Sequence, residues 1–289
     1  ILAAPNLTDF TISLVGACLT DILLPALLQK KNLETLSCLG DNSWIEAITQ
    51  EPCLKIKNLY LCDIFSSLDD SIIERLTNLT ELETIAFNDP AIFKNKIPTF
   101  VKTMKKMKKL NKIVLIRDRH FLSQLAEQAD QNSKLPNLSL KYCEEAKPAF
   151  ETLAKKNCTI DQVTFHFYLD SLSEILPFLA PLSLKQLDVK GSNLSFEDYK
   201  KLGEFKTIEK LSLPYPNEGG DQTIEKLLKA LPNLKEVLFY PSCGEYITRH
   251  DQSHVSKIRI HGNSLLPHEK EKLQKLFPNL IIKSRRAAG

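Results

Sequence analysis

The stretch Leu184-Lys185-Gln186-Leu187-Asp188-Val189 reads apolar, two free positions, apolar, one free, apolar. Its second half alternates with period two, the pattern of a strand buried on one face. The same spacing returns along the chain. The middle apolar residue of each copy is Phe10, Leu36, Leu59, Ile85, Ile113, Leu138, Val163, Leu187, Leu211, Val237, Ile258 and Leu280. Intervals between these markers run from 21 to 28 residues and average about 24.5. One such match means little, but twelve in near-constant succession indicate a repeat architecture. The last copy has the loosest register, because a shift of three residues at Leu280 also fits.

Between copies the period becomes helical. Trp44, Ile45 and Ile48 share one face, as do Ile72, Ile73 and Leu76, then Phe100, Met104 and Met107. Leu122, Leu125 and Ala129 follow, then Phe150, Leu153 and Ala154, then Leu172, Ile175, Leu176 and Leu179. Tyr199, Leu202 and Phe205, then Ile224, Leu227, Leu228 and Leu231, and finally Leu273, Leu276 and Phe277 complete the series. Each cluster predicts a short amphipathic helix. Ser43, Asp69 or Asp70, Ser171 and Ser195 are N-cap residue types. Ser171-x-x-Glu174 and Ser195-x-x-Asp198 read as capping boxes. Pro52, Pro136, Pro181, Pro232 and Pro278 read as helix stops.

One strand, a turn and a returning helix cannot bury their apolar faces alone, whereas twelve stacked units can. The sequence therefore predicts an α/β solenoid of about twelve repeats. It is a curved horseshoe with parallel strands on the concave face and helices on the convex face. One array spans residues 1–283, and residues 284–289 form a tail. Ala4-Pro5-Asn6-Leu7 repeats the helix-to-strand junction Leu231-Pro232-Asn233-Leu234, so the chain is expected to be an N-terminally truncated fragment.

Composition excludes several functions. With 9 glycines there is no G-x-G-x-x-G and no phosphate loop, so no cofactor is expected. The 7 cysteines are odd in number and lack C-x-x-C, which argues against a metal site and for buried free thiols in a reducing compartment. Five glycosylation sequons begin at Asn6, Asn78, Asn137, Asn157 and Asn193, and are attributed to an Asn-Leu pair that belongs to the repeat. The longest apolar stretch, 14–28, is broken by Asp21 and Pro25 and is too short to span a membrane. Lys+Arg 38 against Asp+Glu 35 leaves +3, too balanced to suggest nucleic acid or a membrane surface.

Chemistry-bearing groups are few. His166 and Cys143 could be imagined as a nucleophile pair, but no orienting third residue accompanies them. No catalytic residue is assigned, and the chain is read as not an enzyme. The basic run 102–109 falls on a helix whose Met104 and Met107 face the core, so it reads as a solvated face. Arg117, Asp118, Arg119 and His120 read as a loop ion pair.

The repeat resembles that of leucine-rich repeat proteins over essentially the whole chain. The helical second half of each unit is similar to the ribonuclease-inhibitor-like and cysteine-containing, F-box-associated classes. It matches the short Leu-Pro-rich repeats of bacterial ligase effectors less well. The family motif continues to an Asn or Cys that satisfies backbone groups of the inner turn. Asn42, Asn193, Asn217 and Cys243 are assigned to that place. Phe65, Arg119 and Leu169 interrupt the ladder elsewhere, so an irregular horseshoe is expected.

The resemblance implies a monomeric, cytoplasmic, non-enzymatic scaffold that binds a protein partner on its concave face. It leaves two alternatives. One is a substrate-receptor module of a ubiquitin-ligase complex, implied by the F-box-associated class. The other is an effector of an intracellular bacterium acting on proteins of the host cytosol, to which the excess of 31 Lys over 7 Arg adds an AT-rich flavour.

Strand alternation points one set of residues away from the core. Tyr60, Val114, Ile116, Leu238 and Tyr240 are the aromatic and aliphatic candidates for partner contact. Lys141, His166, Lys190, Arg259 and His261, with Lys283, make the later half of the face basic and would attract an acidic partner surface.

Overall fold

The computed structural model describes residues 6–12, 25–39, 42–50, 54–62, 68–88, 96–118, 120–143, 146–166, 172–190, 194–214, 220–240, 257–261 and 281–283. The strands are β1 (Asp9–Ile12), β2 (Thr35–Leu39), β3 (Asn58–Cys62), β4 (Thr84–Asn88), β5 (Lys112–Ile116), β6 (Lys134–Leu135) and β7 (Asn137–Lys141). They continue with β8 (Thr159–Ile160), β9 (Gln162–His166), β10 (Gln186–Lys190), β11 (Lys210–Pro214), β12 (Glu236–Tyr240), β13 (Lys257–His261) and β14 (Ile281–Lys283). Between them stand α1 (Asn42–Gln50), α2 (Asp70–Arg75), α3 (Ile97–Met104), α4 (Phe121–Gln128), α5 (Ala146–Lys155), α6 (Leu172–Leu179), α7 (Phe196–Leu202) and α8 (Gly220–Ala230).

Twelve strands form one sheet in sequence order, while β6 and β8 pair separately. Every strand pair is parallel, and the markers face each other: Phe10 pairs with Leu36, Leu36 with Leu59, and so on to Val237 with Ile258. Arg259 pairs with Ile281 and Ile260 with Ile282; Leu280 itself lies outside the described residues. The fold is a leucine-rich repeat solenoid. Neighbouring strands lie about 4.8 Å apart, whereas packed helices need about 8–10 Å. From β2 to β12 each described unit contributes one of each, so there the helix side is the longer arc and the sheet lines the concave side.

The core is a stripe between the two layers. The predicted inward faces of the described helices are buried, from Trp44, Ile45 and Ile48 on α1 to Ile224, Leu227 and Leu228 on α8, except that Ala154 on α5 is half-buried; Leu273, Leu276 and Phe277 lie outside the described residues. Where three phenylalanines meet, Phe87 on β4 packs against Phe100 on α3 and Phe121 on α4, with ring centroids 5.5 Å apart in each pair. The predicted box at the start of α7 is present. Asp198 N donates to Ser195 Oγ at 3.2 Å, and Ser195 N donates to Asp198 Oδ2 at 2.7 Å. Ser171 lies outside the described residues, and Asp69 caps α2 without a side-chain hydrogen bond.

Repeats are stitched together by recurring devices. Before β3 one carbonyl accepts two N–H groups of the next unit: Lys57 N and Asn58 N both donate to Glu34 O, at 2.8 and 2.9 Å. The carbonyls of Lys57, Glu83, Asp161, Lys185 and Glu209 do the same. Side chains at this position alternate in sign where charged, giving Glu34–Lys57 at 2.8 Å, Asp161–Lys185 at 3.6 Å and Glu209–Lys235 at 2.7 Å. Pro136 occupies this same position between β6 and β7. It is therefore not the helix stop the sequence suggested; α4 ends earlier, at Gln128. Proline has no N–H, so Asn137 N donates to Asn111 O at 2.7 Å. Pro181 sits in the 3-10 turn after α6 and Pro232 just beyond α8, whereas Pro52 and Pro278 lie outside the described residues.

The Asn of the Asn-Leu pair is another stitch. Asn78 Nδ2 donates to Thr49 O, and Asn233 Nδ2 to Lys206 O, both at 2.7 Å. Lys156 Nζ reaches Ala126 O and Ala129 O at the end of α4, at 3.1 and 2.9 Å, where a cation satisfies carbonyls that the helix leaves open.

The inner-turn ladder lies one residue earlier than expected. Asn42 opens α1, and Asn193, Asn217 and Cys243 lie outside the described residues. Among the described residues Asp118 and Cys143 turn inward, three positions beyond Leu115 and Leu140, the last core-facing residues of β5 and β7. Asp118 is no loop ion pair. Its carboxylate accepts from His120 N at 3.2 Å and from Phe121 N and Leu122 N at 2.8 Å, closing the start of α4. Cys143 Sγ donates to Leu115 O at 3.4 Å. The basic run 102–109 is a solvated face as expected, with Met104 and Met107 buried. Its Lys105 and Lys109 pair across units with Asp130 and Glu81, each at 2.5 Å.

Candidate functional site: the concave sheet face

Register aligns the outward residues into rows that cross the strands. The central row runs Tyr60, Ala86, Val114, Ser139, Thr164, Asp188, Ser212, Leu238, Arg259. The next row runs Asn88, Ile116, Lys141, His166, Lys190. Tyr60, Val114, Ile116, Lys141, His166, Lys190 and Leu238 are all half-buried on this face. Tyr240 stands opposite Pro214, Arg259 opposite Leu238, and His261 opposite Lys283. The side chains of these three lie outside the described residues.

Outward does not always mean exposed. Ala86, Ser139, Thr164 and Asp188 are buried although they point away from the core. They are short side chains in the middle of a concave sheet, and neighbours about 4.8 Å away on both sides lean over them. Solvent therefore meets the longer residues beside them: Ile116, Lys141, His166 and Lys190.

Five of the described candidates, Val114, Ile116, Lys141, His166 and Lys190, thus gather over β5, β7, β9 and β10, while Tyr60 lies apart on β3 and the others fall by register on β12 and β13. In the first group Lys190 Nζ lies 3.0 Å from Asp188 Oδ2. Burial holds His166 below its ordinary pKa. Lys190, Lys141 and Lys112 push in the same direction, and Asp188 opposes them. The imidazole therefore stands in a positive local field that favours its neutral form. Lys141 Nζ sits 5.4 Å from the centre of the Tyr142 ring.

Tyr142 and Asp188 are site residues that the sequence reading missed. Tyr142 is exposed and left-handed at φ 54°, as is Arg117 at the same place one unit earlier, at φ 57°. No glycine signals this bend; Tyr142 N simply donates to His166 O at 3.3 Å. Asp188 had a signal, since it lies two residues from Lys190 on the same face of one strand.

Cys143 cannot partner His166 as a nucleophile. Its thiol is buried in the inner turn and pushed up to about 12 by that burial, so no thiolate is available at neutral pH. Among the described residues no group of three or more His, Cys, Asp or Glu is placed to hold a metal ion. Among them, too, no helix is long and apolar enough to cross a membrane.

A second concavity, of about 360 Å³, lies between α7 and α8 on the helix side. Phe196, 49% exposed, stands at its rim with Lys226 Nζ 5.9 Å from the ring centre. Tyr199 lines it, while donating from its hydroxyl to Pro214 O at 2.5 Å.

No protein-family model matches the chain, and no curated protein does. A solved structure that resembles it is a leucine-rich repeat protein of Leptospira interrogans. The two are 13% identical, and the match covers 98% of this chain and 97% of the other with a TM-score of 0.29. The fold assignment rests on the strand order and register described above.

Proposed function

We propose that the protein is a binding scaffold that holds a protein partner on its concave sheet. One observation carries this reading: Ile116, with Val114 two residues before it on β5, stands in register with Lys141, His166 and Lys190 on the successive strands. Apolar anchors next to cations suit a partner segment of mixed character. A hydrogen-bonded parallel sheet holds these side chains in place before binding, which lowers the ordering cost. The reading extends to Leu238, Tyr240, Arg259 and His261 further along the face, and takes the molecule as a cytoplasmic monomer with a single array. It assigns no cofactor, catalytic residue, nucleic acid or membrane.

The test compares partner sets. Val114→Asp, Ile116→Asp, Leu238→Asp and Lys190→Glu are made on the concave face, and Lys102→Glu and Lys108→Glu on the helix face. Circular dichroism checks folding, and quantitative mass spectrometry scores capture. Specific partners should be lost with the first set and kept with the second; retention by every concave variant overturns the proposal.

The helical second half of each unit favours one finer reading, a substrate receptor in a ubiquitin-ligase complex. Ligase subunits should then co-purify with the intact protein. The excess of lysine over arginine favours another, a bacterial effector, whose captured partners should be host proteins.

A further inference from the structure

We infer that the patch over β5 to β10 takes an extended acidic peptide segment led by an apolar side chain, and that binding takes up a proton at His166. This rests on the concave-face reading and adds the chemistry of the partner.

The spacing of the row sets the pattern of the ligand. Ile116, Lys141, His166 and Lys190 lie in register on successive strands of the sheet. At about 4.8 Å per strand they fall at roughly 0, 5, 10 and 14 Å. An extended peptide crossing the sheet places alternate side chains on one side, about 6.7 Å apart. An apolar residue seated on Ile116 and Val114 therefore sets the residue two places on between Lys141 and His166. The residue four places on then reaches Lys190. Acidic side chains at these two places give the order apolar-x-acidic-x-acidic. The strands beneath are all paired on both sides, so recognition is by side chains and not by strand addition.

The proton linkage follows from the groups that face His166. Lys141 approaches from β7, Lys190 and Asp188 from β10 and Lys112 from β5. Burial first, and then three cations against one carboxylate, lower the imidazole's pKa and favour its neutral form in the free protein. A bound carboxylate between Lys141 and His166 reverses that balance and favours the imidazolium. Binding then raises the His166 pKa, so affinity is lowest above the bound-state value. It climbs as pH falls through the window between the bound and free values and levels off below the free value. For one proton the slope is at most about tenfold per pH unit. Peptide glutamates titrate near 4.3 and stay mostly charged from pH 5.5 to 8. Asp188, already 3.0 Å from Lys190, competes with the second ligand carboxylate.

The experiment uses fluorescein-labelled Leu-Ser-Glu-Ser-Glu and its rearrangement Leu-Ser-Ser-Glu-Glu, with anisotropy read from pH 5.5 to 8. The alternating peptide should bind about fivefold or more tighter than the rearranged one, and Lys141→Glu and Lys190→Glu should each weaken it by about tenfold. Asp188→Asn should strengthen it. His166→Gln should keep binding and lose its pH dependence. Equal affinity for the two peptides, a flat pH profile in the unsubstituted protein, no binding, or full displacement by millimolar inorganic phosphate would each overturn the inference. The broader scaffold reading is scored separately, by partner capture with Val114→Asp and Ile116→Asp, and survives any of these results.

Discussion

Asp118 and Cys143 hold the same place in consecutive repeats, and each turns its side chain inward onto backbone, Asp118 onto N–H groups at the start of α4 and Cys143 onto the Leu115 carbonyl of the preceding strand. One accepts from N–H groups and the other donates to a carbonyl. A single structural position is thus filled by opposite hydrogen-bonding roles.

Asp118→Ala removes the acceptor of three N–H groups in a buried turn. It should cost about 1–3 kcal/mol in urea denaturation. The pH profile carries a further signature. Burial raises the Asp118 carboxyl above its ordinary 3.8, so the folded chain protonates there before the unfolded chain does as pH falls. The stability this group contributes is therefore fully present below 3.8 and is lost as pH rises through the folded value. Asp118→Asn should flatten stability over that window, and an unchanged profile would show that the carboxyl does not titrate differently on folding.

Cys143 should resist alkylation in the native state. Its thiol is buried and pushed up to about 12, so both access and thiolate are lacking. Iodoacetamide at pH 8 followed by peptide mass spectrometry should find it unmodified in native protein and fully modified in denaturant. Native labelling at the rate of a free thiol would contradict the inner-turn placement.

Phe100 is fully buried between the rings of Phe87 and Phe121, with centroids 5.5 and 5.6 Å away. Phe100→Ala should cost about 3–5 kcal/mol, from lost transfer energy plus the cavity left behind. Phe100→Leu should recover most of this. Chemical denaturation of the two variants side by side reads the difference.

Gly203 follows α7 so closely against α8 that an added Cβ would meet Ala230 Cβ at 3.0 Å and Lys200 O at 3.2 Å. Its φ is an ordinary −62°, so space and not backbone conformation reserves the glycine. Gly203→Ala should lower stability by about 1–3 kcal/mol. Adding Ala230→Gly should return part of the loss, and the thermal midpoints of the two variants decide the matter.

What was legible in the sequence followed from geometry that repeats. Phe10, Leu36 and their successors fixed strand register across the sheet, because a strand in a solenoid has one partner on each side and one buried face. The buried faces of α1 to α8 were legible for the same reason. Asp118 was not: the motif count settled on Arg119, one residue late, where nothing apolar marks the inner turn. Pro136 was read as a helix stop because proline ends helices as readily as it fills a position that donates no hydrogen bond. At the candidate site, alternation showed which way Ser139, Thr164 and Asp188 point. Their burial depends on how a curved sheet draws neighbouring side chains together, which a one-dimensional pattern does not contain.

The alternating charges before the strands make the array sensitive to parity. Deleting the one unit that Lys185 opens would set Glu209 against Asp161, acid upon acid. Deleting that unit and its successor together would set Lys235 against Asp161 and restore attraction. These pairs are exposed, so each mismatch costs only about 0–1 kcal/mol, but the sign is fixed. Where the ladder is charged, adding or removing two repeats together keeps opposite charges facing, a memory of even and odd that the apolar core cannot keep.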